Sequence, residues 1–266
     1  MTINEIAEEI LHSKKYSNVD RAVVERIIAE TIPKYPKHKD VIKAVKKELH
    51  IIHESFLQAD CHIKAGNILD SYSGDAKNDK ELSLRIMALH TSTKERLGQA
   101  AEIYEHISRY VKSEDTIIDI GCGFNPFTLP FFHEKPKNYF AFDINLSTVQ
   151  TLNAYFKCAG LPYSAEISDA VIQTPGVHGD VLFMFKLFPL LERQKKGRAF
   201  EIMVNLDCKI SIISFPLEST SGREKGMEAF YSAEFEKGLP SDFSITEKVK
   251  FTNEMFYIVN VRNNLL

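Results

Sequence analysis

Up to about residue 90, apolar positions recur at spacings of three and four. Ile6 and Ile10, then Val23, Val24, Ile27 and Ile28, then Val41, Ile42, Val45, Leu49 and Ile52 each draw one stripe along a helix. Pro33 and Pro36 separate the second stripe from the third, because proline lacks the amide that a helix interior needs. The polar, glycine-bearing run 71–79 predicts a loop ahead of a further helix. From Thr116 the period changes. Short apolar runs at 116–120, 139–144, 164–167, 180–185 and 210–215 alternate with helical stretches around 146–158 and 187–206. Such alternation predicts a parallel sheet with helices on both faces. At the end, 243–251 and 255–261 are separated only by Thr252-Asn253-Glu254, which predicts an antiparallel hairpin. The expected architecture is α/β, five parallel strands plus that hairpin over 89–266, behind an all-α unit over 1–88.

Chemistry first shows at Thr116-Ile117-Ile118-Asp119-Ile120-Gly121-Cys122-Gly123-Phe124-Asn125-Pro126. Apolar β-formers lead into an acid, and a Gly-x-Gly turn lets a ligand approach the backbone. A second run, Tyr139-Phe140-Ala141-Phe142, ends in Asp143, where a carboxylate can accept from ribose hydroxyls. The third glycine of a dinucleotide fingerprint is missing, with Pro126-Phe127 in its place, so a pyrophosphate is not expected. No P-loop occurs either. The pattern resembles the S-adenosylmethionine site of Rossmann-like methyltransferases, whose ligand has a ribose but no phosphate. In such a site Asp169, after the third strand, would accept from the adenine amino group; taken alone it also reads as a helix cap or loop acid.

His90-Thr91-Ser92-Thr93-Lys94-Glu95-Arg96-Leu97 predicts a helix capped by Ser92 or Thr93, with Arg96 one turn in. A cation at that place opposes the helix dipole and needs an anion. The methionine carboxylate of the cofactor is one choice, and Glu95, Glu102 or Glu105 are the others. After the fourth strand stands Phe185-Lys186-Leu187-Phe188-Pro189-Leu190-Leu191-Glu192-Arg193-Gln194. The Asp/Asn-Pro-Pro-aromatic motif of exocyclic-amine methylation is absent there. Guanine N7 has a lone pair and no hydrogen, so positioning can suffice and no obligatory catalytic base is expected.

Composition narrows the partners. The chain has 266 residues, 26% of them charged, with a net charge of −3, so affinity for nucleic acid must come from local patches. Lys34, Lys37, Lys39, Lys43, Lys46 and Lys47 form one such patch, and Arg223 and Lys225 another. Each reads either as a solvated face or as a phosphate-binding surface. The four cysteines lack a Cys-x-x-Cys pair, which predicts neither disulfides nor a metal site. The opening Met1-Thr2-Ile3-Asn4-Glu5 is unlike a signal peptide, and no apolar run is long enough to span a bilayer. A cytoplasmic protein is expected, without membrane or metal.

With these residues assembled, the chain resembles the aminoglycoside-resistance 16S rRNA methyltransferases that modify guanine N7 in the ribosomal decoding site. The resemblance runs nearly end to end. It rests on Ile10-Leu11-His12-Ser13-Lys14-Lys15-Tyr16, on Leu49-His50, on the His90 to Leu97 block and on the glycine turn. It continues through Phe185 to Gln194, Ser214-Phe215-Pro216, Gly222-Arg223-Glu224-Lys225-Gly226-Met227-Glu228 and Phe235-Glu236-Lys237-Gly238-Leu239-Pro240. It implies S-adenosylmethionine held by His90, Thr91, Ser92, Arg96 and Gly121, with Asp143, Asp169, Ala170, Phe185 and Gln194. It implies 16S rRNA in the assembled 30S subunit as partner, met by Lys14, Lys15, Lys43, Lys46, Lys47, Lys186, Arg223 and Lys225. Phe188 and Met227 would stack on the target base. The chain departs from the family at His53-Glu54-Ser55-Phe56, where relatives tend to carry Gly-Ala-Tyr, and at Glu218-Ser219-Thr220-Ser221, where they are richer in glycine. Competing readings are a methyltransferase for another RNA or a small molecule, and a non-catalytic ribosome-binding protein.

Overall fold

The computed structural model describes residues 2–53, 56, 60–217 and 227–261, with side chains from 232 onward in the last stretch. Three helices come first: α1 (Ile3–Leu11), α2 (Arg21–Thr31) and α3 (His38–Ile52). Thr2 and Glu5 form a reciprocal cap on α1, and Asp20 caps α2 through the amides of Ala22 and Val23. The apolar stripes of these helices meet one another. Ile6, Ile10, Val23, Val24, Ile27, Ile28, Val41, Val45 and Leu49 are buried in a core of their own, to which Ile144 of the sheet domain adds.

Next come α4 (Cys61–Asp70), α5 (Lys80–Met87), the four-residue α6 (Thr91–Lys94) and α7 (Ala100–Ser108). These do not join the three-helix core. Ala65, Leu69, Leu82, Ile86, Ile103 and Tyr104 pack instead against the sheet. The residues of α4 and α5 contact α8 (Leu146–Cys158) and the segment Asn125–Phe131 that follows the glycine turn, rather than α1–α3.

The sheet has seven strands: β1 (Thr116–Ile120), β2 (Asn138–Asp143), β3 (Ser164–Ile167), β4 (Val181–Phe185), β5 (Ile210–Pro216), β6 (Phe243–Lys250) and β7 (Glu254–Val261). Their order is β3-β2-β1-β4-β5-β7-β6. The first five are parallel, and β7 enters antiparallel between β5 and β6. This is the predicted α/β architecture. β4 is buried along its whole length and alternates between faces: Val181, Phe183 and Phe185 point into one core, Leu182 and Met184 into the other. The remaining helices are α8 (Leu146–Cys158), α9 (Phe188–Gln194), α10 (Arg198–Leu206) and α11 (Met227–Gly238). The single helical stretch expected over 187–206 is split into α9 and α10, with the left-handed Gly197 between them (φ 82°). Strand order reverses between β1 and β4, and open sheets of this kind bind ligands beyond the carboxyl ends of the strands at that point.

Candidate functional site

A cleft of about 870 Å³, counted to its open mouth, lies at that reversal. The turn after β1 forms its floor. Gly121 and Gly123 both have positive φ (63° and 48°), and a Cβ on Gly123 would come within 3.0 Å of the His90 ring. Only glycine suits both the backbone angle and the close approach. The Gly123 amide donates to Asp143 Oδ2 and the Asn145 amide to Asp143 Oδ1, each at 2.9 Å. Asp143 ends β2, so the carboxylate is fixed over the turn with acceptor capacity left for a ligand. Burial pushes its carboxyl above the usual range, against the bonds from Gly123 and Asn145.

Beneath the turn lies a buried polar network. Asp119 Oδ2 accepts from Tyr139 Oη at 2.6 Å and from Asn125 Nδ2 at 2.9 Å, while Oδ1 is buried with no partner among the described residues. Burial raises the Asp119 carboxyl to about 6, with the Tyr139 and Asn125 bonds opposing. Arg96 Nη1 donates to Tyr104 Oη at 2.9 Å, and Tyr104 Oη donates to Asn125 Oδ1 at 3.1 Å. The rest of the Arg96 fork grips Glu254 of β7, Nε and Nη2 each at 2.7 Å from a carboxylate oxygen. Arg96 is 3% exposed and Glu254 2%. Although burial pushes the Glu254 carboxyl up, the charges of Arg96 and Lys186 hold it below its ordinary value.

The expected cofactor residues divide accordingly. His90, Ser92, Gly121, Asp143, Asp169 and Ala170 line the cleft, as do Phe185 and Gln194. Thr91 and Arg96 do not. Arg96 also lies past the end of α6, not one turn inside a helix, and its acid is Glu254, not Glu95, Glu102 or Glu105. His90 donates to or accepts from Ser92 Oγ at 3.0 Å and stacks on Phe124 at 5.1 Å. Burial, with the nearby His62 and Arg96 charges, drives His90 down to about 3, so it is neutral at pH 7.

Two residues expected on RNA are corrected. Lys186 is 7% exposed; its ammonium pairs with Glu95 and lies 3.6 Å from Glu254 Oε2, so it has no surface to offer a phosphate. It lines the cleft instead. Phe188 is 3% exposed and enclosed by Phe200, Phe215 and Phe235, so neither ring face is open to a base. Lys14, Lys43 and Lys47 are exposed and Lys46 half-buried, while Arg223, Lys225 and the Met227 side chain lie outside the described residues, as do Glu54, Ser55 and 218–221.

The sequence did not point to Arg26, His53 or Glu254. Arg26 and His53 line the cleft, as does Phe56. The one signal for Arg26 was a charge bordering the buried stripe of Val23 and Ile27. Glu254, read as a turn residue, is the first residue of β7.

The cleft presents two carboxylates, Asp143 and Asp169, with acceptor oxygens that suit ribose hydroxyls and an adenine amino group. Among the described residues no cluster could hold a metal ion, and no helix is long and apolar enough to cross a membrane.

Known proteins are similar to this chain in sequence and fold. The profile of the ribosomal RNA methyltransferase (FmrO) family matches residues 12–258. A 16S rRNA (guanine(1405)-N(7))-methyltransferase of Proteus mirabilis is 31% identical over 97% of this chain and 97% of its own length. One from Serratia marcescens is also 31% identical, over 97% and 98%. Among solved structures, the 16S rRNA methyltransferase RmtF in complex with S-adenosyl-L-homocysteine superposes with a TM-score of 0.88 at 30% identity, covering 97% of this chain and 98% of that one. The 16S rRNA methylase RmtB gives 0.83 at 26% identity, covering 98% and 99%.

Proposed function

The chain belongs to the FmrO ribosomal RNA methyltransferase family, and we propose that it methylates guanine N7 in the decoding site of 16S rRNA, acting in the cytoplasm on the assembled 30S subunit. The observation that carries the reading is the convergence of Gly121, Gly123, Asp143 and Asp169 on one cleft at the strand-order reversal. When bound there, S-adenosylmethionine supplies an electrophilic methyl group on a sulfonium. Asp143 is the acid for the ribose and Asp169 for the adenine end, with Gln194 beside it. His90, kept neutral by burial, shapes the wall next to the glycine turn without adding charge. Guanine N7 brings its own lone pair, so the protein's task is to hold the base in line and exclude water. No side chain has to accept a proton before attack. The single-turnover rate should therefore be nearly flat from about pH 6.5 to 8.5.

Docking falls to the exposed lysines of the helical unit, Lys14, Lys43 and Lys47 with Lys15 and Lys46, facing phosphates. Arg223 and Lys225 are assigned to the same substrate, and Met227 to the target base. The decisive experiment incubates protein and S-adenosylmethionine with 30S subunits or with naked 16S rRNA and maps the methylated nucleotide. N7-methylguanine in the decoding site of the subunit alone is expected. Modification of another base, or of naked RNA equally well, would refute the proposal. Expressing cells should resist gentamicin and kanamycin and stay sensitive to apramycin.

A further inference from the structure

Arg26 is the cation that the three-helix unit brings to the cleft wall, beside Val23, Ile52 and His53. Its side chain is 11% exposed, and each of its three guanidinium nitrogens has a partner. Nε donates to Asp169 Oδ2 at 2.6 Å, Nη2 to Gln194 Oε1 at 3.0 Å, and Nη1 to Glu30 Oε1 of its own helix at 3.1 Å. One cation from α2 therefore holds both the loop after β3 and the end of α9. The second oxygen of Asp169 accepts from the Val171 amide at 3.0 Å, and Gln194 Nε2 donates to the Leu190 carbonyl at 3.2 Å. Neither side chain can turn without breaking a bond to its own element or to Arg26.

The same unit also grips the other cleft acid. Val19 bridges to Asn145 in antiparallel fashion. The Asp20 amide donates to the Ile144 carbonyl at 2.9 Å and the Leu146 amide to the Asn18 carbonyl at 2.8 Å. The segment so held follows Asp143 directly, and its Asn145 amide is one of the two that fix that carboxylate. His53 contacts Asn145, and Glu48 of α3 pairs with Arg193, the neighbour of Gln194. Both acids of the cleft are thus tied to one small body, which also carries the exposed lysines. Displacing that body changes the cleft, and ordering the cleft constrains that body.

We infer that Arg26 is a positioning residue that couples docking of the three-helix unit on RNA to the adenosine end of the cofactor cleft. Coupling of this kind is reciprocal: whatever factor the cofactor adds to substrate affinity, the substrate adds to cofactor affinity. The inference rests on the functional reading above, and its test separates the two. S-adenosylhomocysteine affinity is measured by calorimetry for wild type, Arg26→Ala and Arg26→Gln. Affinity for 30S subunits is then measured with and without saturating S-adenosylhomocysteine. Arg26→Gln keeps a hydrogen-bonding head and guards against a misfolded alanine variant, and thermal melting reports folding for both.

Wild type should bind 30S about five- to a hundredfold tighter with S-adenosylhomocysteine present, the usual range of such coupling. In the variants that ratio should fall towards one, and S-adenosylhomocysteine affinity should drop about tenfold or more, as for loss of a charge-assisted bond. A defect that was only structural would lower the melting temperature and leave the ratio unchanged. Folded variants with wild-type S-adenosylhomocysteine affinity, or a wild-type ratio of one, would overturn the inference. A wild type that binds S-adenosylhomocysteine but not 30S, or methylates elsewhere, would instead sink the functional reading, and with it the RNA arm of the coupling.

Discussion

Arg26 and Arg96 each hold a carboxylate beside the same cleft, on opposite sides of the sheet's reversal. Arg96 meets Glu254 of β7 with both forks filled, the pair being 3% and 2% exposed. Arg26 meets Asp169 after β3 through one nitrogen, at 11% and 6% exposure, and keeps its remaining nitrogens for Gln194 and Glu30. The first pair is sealed, desolvated and cross-linked to Tyr104 and Asn125. The second faces the ligand space and spans two packing units. Arginine–carboxylate pairs of nearly equal length therefore do different work here: one fixes the scaffold, the other can transmit.

The sharpest way to break this contrast is to remove Glu254. Glu254→Ala leaves the Arg96 guanidinium buried without its bidentate acid and should cost about 3–5 kcal/mol, read by urea unfolding. A loss below about 1 kcal/mol would mean that the interior hydrates, and that the two pairs are alike. Next in size is the ligand side. Asp143→Asn keeps an acceptor for the Gly123 and Asn145 amides but removes the charge, and should weaken S-adenosylhomocysteine binding by about 1.5–3 kcal/mol. Unchanged affinity in a folded variant would end its assignment to the ribose.

Acid pH tests the wall between the two arginines. Burial lowers His53 and His62 to about 4 and His90 to about 3, from 6.5 in the unfolded chain. A group depressed in this way contributes stability that is fully present above pH 6.5 and is lost as pH falls, because the unfolded chain then takes up protons first. Each imidazole should add a slope of up to about 1.4 kcal/mol per pH unit. Asp119 acts in the opposite sense. Raised from 3.8 to about 6, it keeps a proton that the unfolded chain has lost, so its contribution falls as pH rises through that window. Unfolding free energies between pH 4.5 and 7.5 should thus drop steeply towards acid in wild type and less steeply in His90→Phe. Equal slopes would place the protonated imidazole within reach of water. The smallest effect belongs to the exposed lysines. Lys43→Glu with Lys47→Glu should weaken 30S binding and flatten its salt dependence by roughly 0.7–0.9 unit for each lysine that contacts a phosphate, leaving cofactor affinity intact.

The sequence disclosed what local rules govern. β1 and β3 begin and end where their apolar runs do, Asp143 closes β2, and the C-terminal hairpin is antiparallel, because each depends on neighbours a few positions away. Cleft residues at strand ends and in the glycine turn were legible for the same reason. Partners distant along the chain were not. Arg26 finds Asp169 at a separation of 143 positions, and Arg96 finds Glu254 at 158, and no spacing rule reaches so far. Lys186 and Phe188 were misassigned on a related ground. Residue type suggested an exposed cation and a free ring, whereas the packing of β4 and α9 against β5 and β7 buries both. α4 and α5 carry the same periodicity as α1–α3 yet join a different core, because periodicity does not say which surface a stripe meets.

The position of Glu254 also governs when the protein can be finished. A chain emerging from the ribosome presents Arg96 158 positions before its acid, and β7, which carries that acid, is inserted between two strands made before it. Until that strand arrives, β5 has an open edge and the guanidinium lacks its bidentate acid, so the sheet domain can begin to collapse during synthesis but cannot close. Premature termination ahead of β7 would leave not a smaller enzyme but a chain with an unpaired edge strand, a substrate for proteases and for aggregation.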